Sequence, residues 1–192
     1  MRTVSASPPS LAGMLGKLST EVAAKRPDLL APAVVAALDA WSGDVGEVLV
    51  APIDPDLADT AAFCEAYDVP PEASANCVVV SGKREGDVRL AACLVFATTR
   101  ADVNGVVRRH LDVRKASFAP MAEAVALTGM EYGGITPLGL PADWPVLVDA
   151  AVAAAPAVVV GSGVRRSKLV LPGRALASLP GAVVIAGLGR PA

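Results

Sequence analysis

The sequence predicts an α+β fold, with a curved mixed or antiparallel sheet or partial barrel flanked by helices. Two observations indicate this class. About seven short β-like runs occur along the 192 residues, and they follow one another instead of alternating regularly with helices, as a doubly wound parallel sheet requires. The glycines also match neither the G-x-G-x-x-G fingerprint nor the P-loop pattern, which argues against the nucleotide-binding α/β folds.

Composition narrows the function classes. Hydrophobic residues make up 53% of the chain, but no uninterrupted apolar run approaches the roughly 20 residues of a membrane helix. The N-terminus lacks the apolar centre of an export signal, so we expect a cytoplasmic protein without a membrane partner. The three cysteines are widely spaced, none belongs to a C-x-x-C pair, and the chain has one histidine. We therefore expect neither a disulfide framework nor a metal site.

The charge of the chain gives no general attraction to nucleic acid. The formal net charge is −2, whereas nucleic-acid binding depends on lysines and arginines at the phosphates. Two local basic patches could still supply such contacts, one in "VVRRHLDVRKAS" and one in "GVRRSKL". Taken alone, each patch is more typical of the solvated face of a surface element.

Residues 1–42 are predicted to form an N-terminal helical extension, and residues 43–192 the main domain. Leu11, Leu15 and Leu18 recur at helical spacing, and a later proline divides the pattern in two. These leucines would either pack against the domain or form the interface of a homo-oligomer. Packing against the domain is the more ordinary arrangement for such a face.

The first elements of the main domain are a short strand and a helix. Residues 48–51 are apolar and predict the strand. Residues 54–67 predict the helix, with Asp54 or Asp56 near its N-cap.

The middle of the chain predicts a hairpin followed by two helices. Residues 77–99 contain two Val- and Leu-rich strands joined by a polar turn with glycines. A short helix follows, with Thr99 or Asp102 at its N-cap, and then the strand candidate "VRKASFA". The next helix begins at Pro120, which suits a first turn, and ends at Gly129, which suits the left-handed geometry of a C-terminus.

The last quarter of the chain is mostly β. Asp149 follows one of its strands and could either cap the helix of "AAVAAA" or face a pocket. A helix, "GRALASL", is predicted between the last two strands. The four β-like runs are "PVLVDAAV", "AVVVGSG", "KLVLP" and "AVVIAGL".

Between helix and strand lies the loop "EYGGITPLGLP", which suits neither element. Gly133, Gly134 and Gly139 allow backbone angles closed to other residues, while Pro137 restricts both itself and Thr136. A rigid loop of this kind can expose main-chain amides that bind an anion or stabilise an oxyanion. A purely structural turn is the alternative.

The order of "EASANCVVV", "LTGMEYGGITPLG", "VLVDAAV", "VVVGSG" and "KLVL" resembles the YbaK-like aminoacyl-tRNA deacylases. This family also occurs as the editing insert of bacterial prolyl-tRNA synthetases. The similarity runs from about residue 51 to 188, and the glycine and proline loop is its most specific part. The resemblance implies a hydrolase that maintains translation fidelity by cleaving the ester between a mischarged small amino acid and the tRNA acceptor end. It implies no cofactor, with a water held by the glycine-loop backbone and a tRNA hydroxyl assisting.

The resemblance also implies the site residues. Gly133, Gly134 and Pro137 match the family loop, and Asp149 matches an acidic residue after the following strand. The turn at 161–163 matches the glycines that close the pocket. The predicted catalytic residues are Gly133, Gly134, Pro137 and Asn76. The predicted substrate-binding residues are Thr136, Asp149, Gly161, Ser162, Gly163, Arg165 and Arg166.

One position departs from the family pattern. Active members have a lysine at the start of the first hairpin strand, where this chain has Ala75 or Asn76. An asparagine can donate and accept hydrogen bonds but carries no charge. Arg165 or Arg166 could supply the charge from across the pocket. The alternative hypothesis is a catalytically inactive relative that binds an aminoacyl or nucleotide-like ligand or a protein partner.

Overall fold

The structure, a computed structural model, describes residues 15–43 and 47–192. Within these residues it contains eleven strands and six α-helices. The strands are β1 (Glu21–Val22), β2 (Leu49–Pro52), β3 (Ala75–Arg84), β4 (Asp87–Phe96), β5 (Thr99–Ala101), β6 (Ala116–Phe118), β7 (Val146–Asp149), β8 (Val158–Gly161), β9 (Ser167–Leu171), β10 (Ala182–Ile185) and β11 (Gly189–Pro191). The helices are α1 (Pro32–Asp39), α2 (Thr60–Tyr67), α3 (Arg108–His110), α4 (Met121–Thr128), α5 (Ala150–Ala154) and α6 (Gly173–Ala177).

The strands form three sheets. A five-stranded mixed sheet has the order β10-β7-β4-β3-β6, in which β7 runs parallel to both of its neighbours. A four-stranded antiparallel sheet has the order β1-β2-β9-β8, and β5 pairs with β11. The sheets are not closed into a barrel. The predicted α+β class with a mixed sheet and flanking helices is confirmed.

The long hairpin of β3 and β4 is confirmed, and its turn explains its register. Two residues, Glu85 and Gly86, connect ten-residue strands, and both have positive φ, 53° and 96°. A two-residue turn with both φ angles positive matches the right-handed twist of the paired strands. The turn therefore fixes the pairing of Ala75 with Phe96 at the far end of the hairpin.

The N-terminal segment is helical only in part, because residues 21–22 form strand β1 and pair with β2. Two 3₁₀ turns and helix α1 follow. Leu15, Leu18 and Leu29 are buried within the chain, so these leucines pack on the domain. Leu11, the remaining leucine of the predicted apolar face, lies outside the described residues. No helix among those described is both long enough and apolar enough to span a membrane.

The main core lies between the two larger sheets. Leu94 and Val148 from the mixed sheet pack in the same cluster as Val160 and Leu169 from the antiparallel sheet. The start of β3 is held beside β8 by a parallel bridge between Ser74 and Val159. A cavity lies beside this junction.

Candidate functional site

A cavity of about 210 Å³ lies where the start of β3 meets β8 and β9. We call it the Lys168 cavity. Its walls come from five separate parts of the chain, which folding brings together. They are the segment before α2, the start of β3, the glycine loop and the facing strands β8 and β9, and the lining residues are Ala58, Asp59, Thr60, Ser74, Ala75, Asn76, Cys77, Val78, Tyr132, Gly133, Ile135, Val159, Val160, Gly161 and Lys168.

Lys168 supplies a buried ammonium group to this cavity. Its position on β9 is paired with Gly161 of β8, and the residue is only 8% exposed. Its Nζ donates a hydrogen bond of 2.8 Å to the carbonyl oxygen of Ala58 and lies 5.2 Å from the ring centre of Phe63. A cation above an aromatic face is attracted by the ring quadrupole.

Burial lowers the pKa of Lys168 from the ordinary lysine value of 10.5 to about 8. The positive charge of Arg165 acts in the same direction. Asp59 and Cys64 act in the opposite direction because negative charge near an ammonium group favours its protonated form. At neutral pH the group is therefore mostly charged, although it stands in a poorly hydrated wall.

Asn76 lines the cavity from the second position of β3, one of the two positions at which the YbaK-like pattern has its lysine. The hydroxyl of Thr60 donates a 2.7 Å hydrogen bond to the Oδ1 of Asn76. The carboxamide oxygen therefore accepts from Thr60, and the two N–H groups of Nδ2 remain able to donate to other partners. The pair places a neutral donor in a cavity that also holds a cation.

The two loop glycines have different surroundings. Gly133 lines the cavity with φ +84°, whereas the N–H of Gly134 donates to the carbonyl oxygen of Glu131 at 2.9 Å. The Gly134 carbonyl in turn accepts from the N–H of Gly163 at 2.7 Å. The Gly134 amide is thus used within the protein and cannot also donate to a ligand in this arrangement.

Gly161 and Gly134 are required by a close approach of two backbone segments. A Cβ placed on Gly161 would lie 2.3 Å from the Gly134 carbonyl oxygen, and one on Gly134 would lie 2.7 Å from the backbone of Val164. Side chains cannot be accommodated at such distances without moving the backbone. The glycines therefore bring the loop directly against the β8–β9 turn and close one wall of the cavity.

Arg165 and Arg166 point in different directions. Arg165 donates to the carbonyl oxygens of Pro55 and Tyr132, and its guanidinium lies 3.6 Å from Asp59, so it stands near the cavity mouth. Arg166 donates to the carbonyl oxygen of Asp28, outside the cavity lining. Of the two predicted substrate-binding arginines, only Arg165 is placed beside the cavity.

The other predicted residues lie behind the wall or elsewhere. Asp149 is the N-cap of α5, where Oδ1 accepts from the Ala151 N–H and Oδ2 from the Gly189 N–H. The helix-cap alternative is thereby confirmed. Pro137 lines a different and larger cavity, of about 710 Å³, which we call the Trp144 cavity.

Two buried hydroxyls belong to the wall that supports the loop. Ser162 donates within the turn, to the carbonyl oxygens of Val164 and Ser167, and Gly163 follows it with φ +85°. Thr136 is fully buried, and its hydroxyl has no hydrogen-bond partner among the described residues. Thr136, Ser162 and Gly163 are neighbours in sequence of lining residues, but they do not line the cavity themselves.

Cys77 lines the cavity but does not act as a ready nucleophile. Burial raises the pKa of its thiol well above the ordinary value, and the neighbouring Cys93 thiol acts in the same direction. The thiolate is the nucleophilic form of cysteine, so a thiol held neutral is unreactive at physiological pH. Within residues 15–43 and 47–192, no three side chains of the metal-ligating kinds come together.

Comparison with known proteins identifies the family. The model of the aminoacyl-tRNA editing domain matches residues 54–179, about two thirds of the chain. The chain belongs to the aminoacyl-tRNA editing domain family. The matched range includes every residue that lines the Lys168 cavity. No curated protein matches the chain in sequence.

Solved structures share the editing-domain fold at low sequence identity. One is a candidate trans-editing enzyme for prolyl tRNA synthetase, 22% identical, with a TM-score of 0.68 over 81% of this chain and 94% of that one. A second, from work on epitope grafting onto scaffold proteins by computational design, is 23% identical, with a TM-score of 0.68 over 81% and 95%. A third is a hypothetical protein, 23% identical, with a TM-score of 0.62 over 74% and 90%.

Lys168 and Thr60 were not among the predicted site residues. A signal for Lys168 was present, because it directly precedes the apolar residues of "KLVLP" in a predicted strand. A lysine is almost never fully buried without a partner. Thr60 carried no comparable signal, because its contact with Asn76 joins residues that are 16 positions apart.

Proposed function

We propose that this protein is a trans-acting aminoacyl-tRNA deacylase, which hydrolyses the ester between a mischarged small amino acid and the tRNA acceptor end. The observation that carries the proposal is the Lys168 cavity, which combines a cation, the Asn76 carboxamide and glycine backbone within the editing domain. Aminoacyl-tRNA as substrate agrees with the cytoplasmic location expected from the sequence.

The reaction needs one water and no redox partner. The water oxygen adds to the ester carbonyl carbon while the π electrons of the C=O bond move onto the carbonyl oxygen. The adduct then collapses, the bond to the ribose oxygen breaks, and that oxygen receives a proton that the water releases. The products are the free amino acid and the uncharged tRNA.

The lining residues suit positioning and electrostatic stabilisation better than side-chain base catalysis. Cys77 is held as a neutral thiol, and the Asp59 carboxylate is largely exposed at the mouth, 3.6 Å from Arg165. In this proposal the backbone at Gly133 and Gly161 and the carboxamide of Asn76 hold the water and the ester. A hydroxyl of the tRNA assists proton transfer. Preorganised donors of this kind are a large source of rate enhancement.

The cavity size favours a small aminoacyl group. At about 210 Å³ it falls below the roughly 300–1,000 Å³ of pockets that enclose drug-sized ligands. Small side chains are also the ones that a synthetase discriminates least well by binding alone, so hydrolytic editing is needed for them.

A panel of mischarged tRNAs tests the proposal. Purified protein comprising residues 1–192 is incubated with tRNAs charged with labelled alanine, serine, cysteine, threonine or phenylalanine, and release of amino acid is measured against buffer. We expect at least tenfold faster release for one or more small amino acids and none for phenylalanine. No release above buffer from any substrate, with protein that melts cooperatively, contradicts the proposal.

A binding protein without turnover is the second candidate, and the replacement of the family lysine, by Ala75 or Asn76, favours it. In that case a ligand stabilises the native state by mass action and is not consumed. A stable aminoacyl-adenosine amide should then raise the melting temperature while every ester in the panel stays intact. An unchanged melting temperature with this amide and with intact tRNA excludes that candidate.

A further inference from the structure

We propose that Lys168 contacts the substrate directly and that its ammonium group donates a hydrogen bond to the carbonyl oxygen of the aminoacyl ester. This inference rests on the proposed function and assigns a substrate-binding role to a residue outside the glycine loop. The cation reaches the cavity from β9, across from the position in β3 that holds Asn76.

The hydrogen bonding of Lys168 leaves room for a ligand. An ammonium group has three N–H donors, and burying it costs several kcal/mol unless partners replace the lost water. In the part of the chain that the structure describes, Nζ has one hydrogen bond, to Ala58, and one contact with the face of Phe63. The lysine also lines an open cavity, so an acceptor oxygen in that cavity would complete its coordination.

Depth in the cavity indicates which part of the substrate reaches Lys168. The side chains at the mouth are more exposed: Tyr132 is 58% exposed, and the side chains of Arg165 and Asp59 are 32% and 73% exposed. Lys168 is 8% exposed. A nucleotide is too bulky for a cavity of about 210 Å³ and stays at the mouth, so the small acyl end is the part that meets the lysine.

The charge on Lys168 suits this contact at neutral pH. The pKa near 8 leaves most molecules protonated at pH 7, and Arg165, Asp59 and Cys64 are the charged or titratable groups that influence it. A carbonyl oxygen that becomes negative during hydrolysis is stabilised by an adjacent cation. Deprotonation above pH 8 removes both the charge and a donor, so the contribution of Lys168 to the rate should decline there.

A purely structural lysine predicts a different outcome. If Lys168 served only to fill space against Phe63, an unbranched apolar side chain of similar length would replace it without loss of activity. Buried charges are often replaced by apolar residues at no cost in stability. Lys168→Met is therefore a variant expected to fold while lacking only the charge and the donors.

The test compares Lys168→Met with Lys83→Met, a matched control at an exposed lysine near the hairpin turn. On the mischarged tRNA that the wild type hydrolyses best, we expect kcat/KM to fall about 10- to 100-fold in Lys168→Met, as for loss of a charged hydrogen bond. Lys83→Met should stay within twofold. The ratio of wild-type to Lys168→Met activity should shrink as the pH rises from 7 to 9.5, because the wild-type lysine loses its proton.

A binding measurement separates this inference from the proposed function. A stable aminoacyl-adenosine amide and adenosine alone are titrated calorimetrically into each protein. Lys168→Met should bind the amide at least tenfold more weakly and adenosine equally well. If the wild type hydrolyses ester but Lys168→Met retains its rate and affinity within twofold, the role of Lys168 is overturned and the deacylase function stands. Equal loss for both ligands overturns the carbonyl contact, and a wild type that neither binds nor hydrolyses overturns both proposals.

Discussion

Two cavities in the described part of the chain, the Lys168 cavity and the Trp144 cavity, differ both in volume and in the chemistry of their walls. The Trp144 cavity, of about 710 Å³, has mainly apolar walls that include Trp41, Trp144 and Leu179. The Lys168 cavity has less than a third of that volume, yet it contains the ammonium group and the carboxamide of Asn76. Recognition of a polar ester depends on placed donors rather than on volume, so the smaller cavity is the better candidate.

One loop contributes to both cavities. Its first part, at Gly133, lines the Lys168 cavity, and its second part, from Pro137 to Pro141, lines the Trp144 cavity. The loop therefore needs glycine for two separate reasons. Its first part approaches the β8–β9 turn closely, and its second part has a left-handed backbone at Gly139, with φ +80°. A motif that is continuous in sequence is divided between two surroundings in space.

The largest expected effect concerns the wall of the smaller cavity. Gly161→Ala would place a methyl group 2.3 Å from the Gly134 carbonyl oxygen, a backbone atom that cannot move independently. We expect the free energy of unfolding to fall by about 3 kcal/mol, which is at the upper end of the range for overpacking substitutions. Urea denaturation measures this change. The control is Gly129→Ala, where the Cβ meets nothing within 4 Å and only the φ of +66° is strained. Equal losses in the two variants would show that the loop is not closely packed against β8.

The second largest effect is on stability, because burying the ammonium group of Lys168 destabilises the folded state at neutral pH. The folded-state pKa of Lys168 is about 8, below its ordinary 10.5, so between these values the unfolded chain binds more protons and stability rises with pH. Lys168→Met should therefore be more stable than the wild type at pH 7, by about 2 kcal/mol. The advantage should shrink as pH increases from 8 to 10.5. Thermal denaturation across this range measures it, and a constant difference would contradict the assigned burial.

A smaller effect is expected from the neutral donor of the site. Asn76→Ala removes a carboxamide that Thr60 holds in place, and we expect deacylation to slow about tenfold, equivalent to about 1.4 kcal/mol. Asn104→Ala, at an exposed asparagine, is the matched control. The measurement is release of amino acid from the best mischarged tRNA. If both variants keep wild-type rates, Asn76 has no part in the reaction.

The smallest effect is expected from a substitution that partly fills the Trp144 cavity. Ala36 is exposed and lines the Trp144 cavity, so Ala36→Leu would fill part of that space without disturbing the core. We expect deacylation to remain within twofold of the wild-type rate, because the proposed ester site is the Lys168 cavity. A tenfold decrease, with an unchanged melting temperature, would mean that the tRNA end extends into the Trp144 cavity.

Local signals in the sequence were sufficient for much of the fold. The hairpin of β3 and β4 and the helix α4 were predicted because alternation, a turn glycine and the cap at Gly129 act within a few residues. The N-terminal segment was harder to predict, since the pairing of β1 with β2 joins residues almost 30 positions apart. Leucine spacing alone could not indicate that pairing.

The site was less predictable than the fold for a geometric reason. Arg165, Arg166 and Lys168 form one basic run, and sequence cannot tell which member turns inward. The choice depends on the register of β8 with β9, in which a shift of one residue would reverse the faces of the strand. The role of Gly134 likewise depends on its hydrogen bond to Glu131, which only the folded loop defines.

The walls of the Lys168 cavity come from residues that are far apart along the chain, from Ala58 to Lys168. During synthesis, a chain still attached to the ribosome before β9 has emerged would lack one whole side of the pocket. The complete cavity could therefore form only after Lys168 has been synthesised, and a fragment that ends before β9 would lack the ammonium group.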